Sequence, residues 1–270
     1  MRHAFARRIR RVLVAVVAGL AIACPAAATT LVVLVGKRAI VIGADSMRTL
    51  AGGGTESVCK IHDRSGVVFA FAGAVSSDRF DATTIASREL AGPGDLVAKA
   101  TRIADALQAG LVEHFKTRRI DGTRRELIDG QRGRPVTGFI AALVDGKPQG
   151  FLVLVLATPA ANGVTLSTQV ESLDTMGPDR AIFLSSQHQA VIERANRTMR
   201  GNATASVPAL ITAAGELVAL DLTLEAGRAV AQRKSGPPAS VAVLDRDGFR
   251  FTDPGVCQPV GDGRRTPAAR

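Results

Sequence analysis

Residues 29–46 read TTLVVLVGKRAIVIGADS, and this stretch decides the fold. Two apolar runs rich in β-branched residues, Leu31 to Val35 and Ala39 to Ala44, lie on either side of Gly36-Lys37-Arg38. Short runs of this kind, bounded by a turn that contains glycine, are typical of buried strands. The stretch therefore predicts a buried hairpin near the start of the folded chain.

The rest of the chain alternates between strand and helix patterns. Apolar runs predict further strands at 67–71, 136–144, 151–157, 164–169, 240–245 and 249–251. Apolar residues at helical spacing predict helices over 96–115, about 179–197 and about 206–232. Because most successive strands are joined by hairpins, we expect one α+β domain over 29–257, with mainly antiparallel sheets and helices on their outer faces. Residues 258–270 are expected to form a flexible basic tail.

The first 28 residues have the order of a secretory signal. Five arginines and no acidic residue precede the apolar run Val12 to Ala23, and small residues follow at Ala26 and Ala28. About twelve apolar residues are too few to span a bilayer. The pattern predicts cleavage before Thr29 and a periplasmic or secreted protein with no retained transmembrane segment. A lipoprotein acylated at Cys24 is the alternative, and the pattern leaves Sec and twin-arginine export open.

Charge and composition argue against two classes of partner. Removal of the five signal arginines lowers the formal net charge from +10 to +5. The densest basic stretch that remains, Lys116 to Arg134, contains three acidic residues and no aromatic residue, so we expect a solvated loop and no nucleic-acid partner. The histidines and cysteines have no metal-ligand spacing, and we expect neither a metal nor a cofactor.

Cleavage before Thr29 would leave two cysteines, Cys59 and Cys257. An even pair in an oxidising compartment allows a disulfide. The sequence alone does not bring their Cα atoms within bonding range, so the disulfide stays open here.

A mature chain that begins at Thr29 would carry a hydroxyl and a free α-amine on one residue. The unperturbed pKa of an α-amine is about 8, so near neutral pH part of it can accept the proton of the hydroxyl. A nearby lysine ammonium would lower the pKa values of both groups, and a carboxylate beside it would keep it charged and in place. Such a set of groups predicts threonine-type nucleophilic catalysis.

Short motifs give the chain a resemblance to a known family. They are Thr29-Thr30-Leu31, Gly43-Ala44-Asp45-Ser46, Lys60-Ile61, Phe71-Ala72-Gly73-Ala74 and, near the end, Ser235-Gly236. With these motifs the chain resembles a proteasome β-type subunit, strongly over 29–78 and more loosely to residue 251. The resemblance implies the four-layer αββα sandwich of N-terminal-nucleophile hydrolases. It also implies hydrolysis of a peptide or other amide, and assembly into a homo-oligomer.

The resemblance implies a role for each matching residue. Thr29 would attack the amide carbonyl, Lys60 would tune the pKa values of its amine and hydroxyl, and Asp45 would pair with Lys60. The backbone N–H of Gly73 would bind the oxyanion. Ser235 would support the threonine from the late loop.

The sequence departs from the family pattern in two places. Gln232 stands where the family has an aspartate, three residues before Ser235, and Met176-Gly177-Pro178 stands where the family has Gly-Ser-Gly. These departures leave a second hypothesis open, a non-catalytic, proteasome-like subunit or lipoprotein that acts as a binding or assembly module. The first residue of the mature chain separates the two hypotheses, because a chain that begins at Cys24 has no free Thr29 amine.

Overall fold

The structure is a computed structural model. It describes residues 30–49, 54–77, 80–116, 123, 127–128, 133–161, 163–174, 180–183, 188–200, 206–228, 233 and 235–257. The predicted export signal, Thr29, Gln232 and the predicted tail lie outside the described residues.

The secondary structure elements are named here in chain order. The strands are β1 (Leu31–Val35), β2 (Ala39–Asp45), β3 (Met47–Thr49), β4 (Thr55–Ser57), β5 (His62–Arg64), β6 (Val67–Gly73), β7 (Ser76–Ser77), β8 (Phe80–Asp81), β9 (Val136–Val144), β10 (Lys147–Ala160), β11 (Gly163–Ser172), β12 (Arg180–Phe183), β13 (Ala239–Asp245) and β14 (Gly248–Asp253). The helices are α1 (Ala82–Leu90), α2 (Leu96–Phe115), α3 (Gln189–Arg200) and α4 (Val207–Ala226).

Two five-stranded antiparallel sheets contain most of these strands. Sheet 1 has the order β12-β1-β2-β13-β14, and sheet 2 has the order β11-β10-β9-β6-β5. The predicted hairpin is the β1–β2 pair, in which Val33 lies opposite Ile42. The β9–β10 and β13–β14 pairs are also hairpins, as predicted, so the mainly antiparallel sheets are confirmed.

Buried side chains divide into three clusters that show how the elements pack. One cluster lies between sheet 2 and the helices α1 and α2, and includes Phe69 and Leu107. A second lies between sheet 1 and the helices α3 and α4, and includes Val41 and Leu217. The third contains side chains of both sheets, among them Phe139. Helices therefore cover each sheet on one side, and the sheets contact each other on the other side.

Helix starts are set by local capping. The Asp81 carboxylate accepts a hydrogen bond from Thr84 N–H at the start of α1, and Asp95 accepts one from Ala98 N–H at the start of α2. Both aspartates satisfy backbone donors that a first helical turn leaves without partners. The sequence prediction of α2, residues 96–115, agrees with its observed bounds.

The predicted helix over 179–197 is wrong in its first part. Residues Arg180–Phe183 form β12, which pairs with β1 so that Ile182 lies opposite Val33, and the helix begins only at Gln189. A short apolar run is compatible with either a strand or a helix. Here the residues form a strand because they pair with the edge of β1. The last long helix is also shorter than predicted, because α4 ends at Ala226.

Helix α4 is, within the described chain, the one helix long and apolar enough to cross a membrane, with a mean hydropathy of 1.6. It packs on sheet 1 with Leu210, Leu217 and Val218 buried there. The same side of the helix buries Asp221 and Glu225. One side of the helix is therefore part of the core.

Candidate active site

Asp45, the last residue of β2, is the centre of a buried hydrogen-bond cluster. Its Oδ1 accepts from Lys60 Nζ at 2.7 Å and from Thr30 N–H at 2.9 Å. Its Oδ2 accepts from the backbone N–H groups of Met47 at 3.0 Å and Gly236 at 3.1 Å. Asp45 is 1% exposed and Lys60 is 8% exposed. The carboxylate is thus removed from water and surrounded by donors.

The register of the first hairpin places Thr30 against Asp45. Leu31 lies opposite Ala44, so the next pair outward is Thr30 and Asp45. Asp45 N–H donates to Thr30 O at 3.1 Å, and Thr30 N–H donates back to the Asp45 side chain. One residue therefore holds both backbone polar groups of Thr30, the residue that follows Thr29 in the sequence.

Lys60 lies in the short connection between β4 and β5. The connection is held by a hydrogen bond from Val58 N–H to Ser46 O at 2.7 Å and by the Ile61 side chain, which is buried between the sheets. Cys59 forms a disulfide with Cys257, with their Cα atoms 4.7 Å apart. The disulfide that the sequence left open is therefore present.

Burial acts on both charges of the Asp45–Lys60 pair. Desolvation raises the pKa of the Asp45 carboxyl, against the Lys60 ammonium and the N–H groups of Gly236 and Met47, which lower it. Desolvation lowers the pKa of the Lys60 ammonium, against Asp45, which raises it. Both shifts favour the neutral forms, so the charged state of the pair depends on the geometry and the hydrogen-bond donors that the fold supplies. Perturbed, buried, paired groups of this kind are concentrated at functional sites.

A second buried carboxylate, Asp221 on α4, was missed by the sequence analysis. Its Oδ2 accepts hydrogen bonds from Ser235 Oγ at 2.9 Å and from Thr30 Oγ1. Thr30 therefore connects the two carboxylates, through its N–H to Asp45 and through its hydroxyl to Asp221. Ser235, predicted from the late loop, joins the cluster through this contact.

A sequence signal for Asp221 does exist. The buried side of α4 continues at helical spacing through Leu210, Ala213, Ala214, Leu217, Val218, Asp221 and Glu225. Acidic residues that fall on an apolar stripe are expected to be buried, and a buried carboxylate needs partners. The stripe alone does not say which partners.

Gly43 brings α4 close enough for Asp221 to reach Thr30. A Cβ at Gly43 would lie 2.8 Å from Val218 Cγ2 and 3.2 Å from Ala214 O. Helix α4 therefore packs directly on the backbone of β2. Val218 and Asp221 are three residues apart, on the same side of the helix.

The loop over 235–238 is tied to the residues that end β2. Ser46 N–H donates to Gly236 O at 3.1 Å, and Ser46 Oγ donates to Pro238 O at 2.6 Å. With the bond from Gly236 N–H to Asp45, these contacts fix the loop next to the Asp45–Lys60 pair. Asp45 and Lys60 are thus in direct contact, and Ser235 is joined to them through Asp221 and Thr30.

Gly73 makes none of the hydrogen bonds described above for this cluster. It ends β6, in sheet 2, with a φ of 100°, and a Cβ there would lie 2.3 Å from Pro135 O. Only glycine fits this backbone conformation and this contact. Its role as an oxyanion donor stays a prediction, as does the role of Thr29. Among the described side chains, no group of three or more His, Cys, Asp or Glu could hold a metal ion.

No protein-family model and no curated protein matches the sequence. In structure, the chain is similar to a Gly-1 mutant of Anbu, a proteasome-like protein, from Hyphomicrobium sp. strain MC1. The TM-score is 0.52 at 15% sequence identity, over 83% of this chain and 86% of that chain. This chain has a proteasome-like fold.

At that identity the similarity concerns the fold and says nothing about activity. Within the proteasome-like fold, the cluster around Asp45 uses both sheets. Asp45 ends β2 of sheet 1, and Lys60 lies two residues before β5 of sheet 2. The ion pair therefore spans the junction of the sheets.

Proposed function

We propose that the protein is an exported amidohydrolase of the threonine type, with Thr29 as nucleophile after removal of residues 1–28. The observation that carries this proposal is the buried Asp45–Lys60 pair, in which Asp45 binds both backbone polar groups of Thr30. Thr29 is joined to Thr30 by one peptide bond, and in this proposal the Lys60 charge acts on the amine and hydroxyl of Thr29. The substrate would be a short or already unfolded peptide, or another amide.

The proposed reaction has two steps. Thr29 Oγ attacks the carbonyl carbon of the amide, while the free α-amine takes the hydroxyl proton and passes it to the leaving amine as the C–N bond breaks. Water then attacks the ester that has formed, and the carboxylic acid and free Thr29 are released. No cofactor enters either step.

Lys60 and Asp45 have different parts in this scheme. The Lys60 ammonium lowers the pKa of the Thr29 amine, since a like charge disfavours its protonated form, and stabilises negative charge that develops on Oγ. Asp45 keeps Lys60 charged and fixes its direction. Low exposure strengthens both effects, because water screens the charges less.

We also propose the finer architecture that the resemblance implies. The three buried clusters fit a four-layer αββα sandwich of the N-terminal-nucleophile hydrolase type, with helices outside and sheets inside. Association of several copies into a homo-oligomer is part of the same proposal, and sedimentation velocity of the mature protein would test it.

The test of the proposed function combines the mature N-terminus with activity. We expect intact mass and N-terminal sequencing of protein from the cell envelope to give a chain that begins at Thr29. On a panel of short fluorogenic peptide amides, Thr29→Ala should lose at least about 10³-fold in kcat/KM. Thr29→Ser should keep measurable activity, because it retains a hydroxyl and the amine. Thr101→Ala, at an exposed threonine on α2, is the matched control and should be unchanged.

Two results would contradict the proposal. One is a mature chain that begins at an acylated Cys24. The other is hydrolysis that is indifferent to Thr29→Ala. Either result favours the non-catalytic binding or assembly module.

A further inference from the structure

We propose that Cys59 and Cys257 are positioning residues for Lys60, and that their disulfide holds the lysine against Asp45 so that the site is assembled only in the oxidised protein. This inference rests on the proposed function for its consequence in catalysis. It rests on the contacts below for its structural part.

The first contact set concerns the segment that carries Lys60. Strands β4 and β5, on either side of it, have three residues each, and β4 pairs only with the equally short β3 in the described chain. Between them, Val58 N–H donates to Ser46 O, the Ile61 side chain is buried in the core, Lys60 pairs with Asp45, and Cys59 is bonded to Cys257. Because the flanking strands are short, the covalent bond at Cys59 is an important restraint on the neighbouring Lys60.

The second contact set concerns Cys257, which is buried in the turn after β14. Its N–H donates to Pro254 O at 2.6 Å, and the same oxygen accepts from Ser240 Oγ at 2.9 Å. A Cβ on Gly255 would lie 2.4 Å from Ala239 O, so the turn packs directly on the start of β13. Cys257 is thus fixed to sheet 1.

Together these contacts close a ring around Asp45. Lys60 binds Asp45, Cys59 links Lys60 to Cys257, and the turn at Cys257 is fixed to Ser240 at the start of β13. The loop just before β13 returns to Asp45 through Gly236 N–H. The disulfide thus joins the connection before β5 of sheet 2 to the turn after β14 of sheet 1, across the same junction as the ion pair.

There is a physical reason for a disulfide that restrains the position of Lys60. A buried ion pair is favourable only when its geometry is held and its remaining hydrogen bonds are satisfied. A lysine side chain also loses rotamer entropy when it is fixed in one position. Without the disulfide, the segment can open locally and expose Lys60 to water, because local opening requires far less free energy than global unfolding. Reducing conditions, such as those before export, would then keep the site unassembled.

The test measures exposure of Lys60 before and after reduction. Dithiothreitol supplies the electrons. One of its thiolates attacks a cysteine sulfur, the protein S–S bond breaks, and its second thiol closes a cyclic disulfide, leaving two protein thiols. Amine acetylation followed by mass spectrometry then reports Lys60, with the exposed Lys37 and Lys147 as internal references.

We expect Lys60 to be protected in the oxidised protein. Its acetylation rate, relative to the references, should rise at least about tenfold after reduction and in Cys257→Ser, while the far-UV circular dichroism is retained. Arg250→Met is the matched control. It removes the two 2.8 Å bonds to Asp245 in the β13–β14 hairpin but leaves the disulfide, so Lys60 should stay protected.

Two outcomes would overturn the inference. One is a reduced protein that keeps both its circular dichroism and the protection of Lys60. The other is loss of the circular dichroism on reduction, which would make the disulfide a brace of the whole fold.

Activity gives a separate readout. If the oxidised protein hydrolyses amides, reduction should lower kcat about tenfold or more and shift the pH profile upward, because Lys60 no longer lowers the pKa of the Thr29 amine. A protein without hydrolytic activity that still exposes Lys60 on reduction would refute the proposed function and leave the positioning role intact.

Discussion

At the scale of single residues, Lys60 combines a charge that the proposed reaction needs with a buried position that disfavours this charge. Because burial lowers the pKa of its ammonium, it loses its proton at a lower pH than an ordinary lysine. Between its folded and unfolded pKa values the unfolded chain binds more protons, so the contribution of Lys60 to the free energy of unfolding rises with pH. Activity should fall over the same pH range, because a neutral Lys60 no longer lowers the pKa of the Thr29 amine.

For Lys60 we therefore predict that activity and stability change in opposite directions as the pH rises. As the pH rises, we expect kcat/KM to decline before the pH reaches the ordinary lysine pKa of about 10.4. The urea midpoint should not decline over the same pH range. Both quantities are measured on the same samples, and Lys147→Met, at an exposed lysine, controls for surface titration. A parallel loss of activity and stability would show that alkaline inactivation is unfolding.

Asp221 is the second residue with a specific prediction. Asp221→Asn keeps the shape of the side chain but removes the charge that strengthens its bonds from Thr30 and Ser235. We expect a loss of about 1–3 kcal/mol in stability and about 10- to 100-fold in kcat, with a smaller change in KM. Glu216→Gln, at an exposed position on the same helix, should change neither. Wild-type kcat in Asp221→Asn would exclude Asp221 from the site.

At the scale of elements, the first hairpin could be predicted because its contacts are local. The two apolar runs and the turn fix the β1–β2 register, and that register places Thr30 opposite Asp45. The spacing in sequence between Thr30 and Asp45 is therefore set by one hairpin. Pattern and turn chemistry are sufficient for such a unit.

Elements that depend on distant partners could not be predicted in this way. Residues Arg180–Phe183 resemble the start of a helix until β1 is available to pair with them. Asp221 is 191 residues from Thr30, and their contact needs the close approach of α4 to Gly43. The family pattern has an aspartate at the position of Gln232, whereas the carboxylate that binds Ser235 in the described chain is Asp221 of the preceding helix.

At the scale of the whole molecule, the site depends on how the two sheets pack. Asp45 belongs to sheet 1 and Lys60 precedes a strand of sheet 2, so the geometry of the ion pair depends on the distance between the sheets. Side chains of both sheets, with Ile61 next to Lys60, fill the space between them. A loss of packing between the sheets should therefore disturb the ion pair even when the site residues themselves are unchanged.

Phe139→Ala tests this dependence. Phe139 is fully buried between the sheets, and truncation of a buried phenylalanine costs about 3–5 kcal/mol through lost burial and the cavity that remains. We expect that loss in urea denaturation, together with a lower kcat under conditions in which the variant is still folded. Far-UV circular dichroism is the suitable probe, since the chain has neither Trp nor Tyr. Val112→Ala, on the exposed side of α2, should change stability by less than about 0.5 kcal/mol. A folded Phe139→Ala protein with wild-type kcat would show that the ion pair is held by its local contacts and the disulfide, independently of the packing between the sheets.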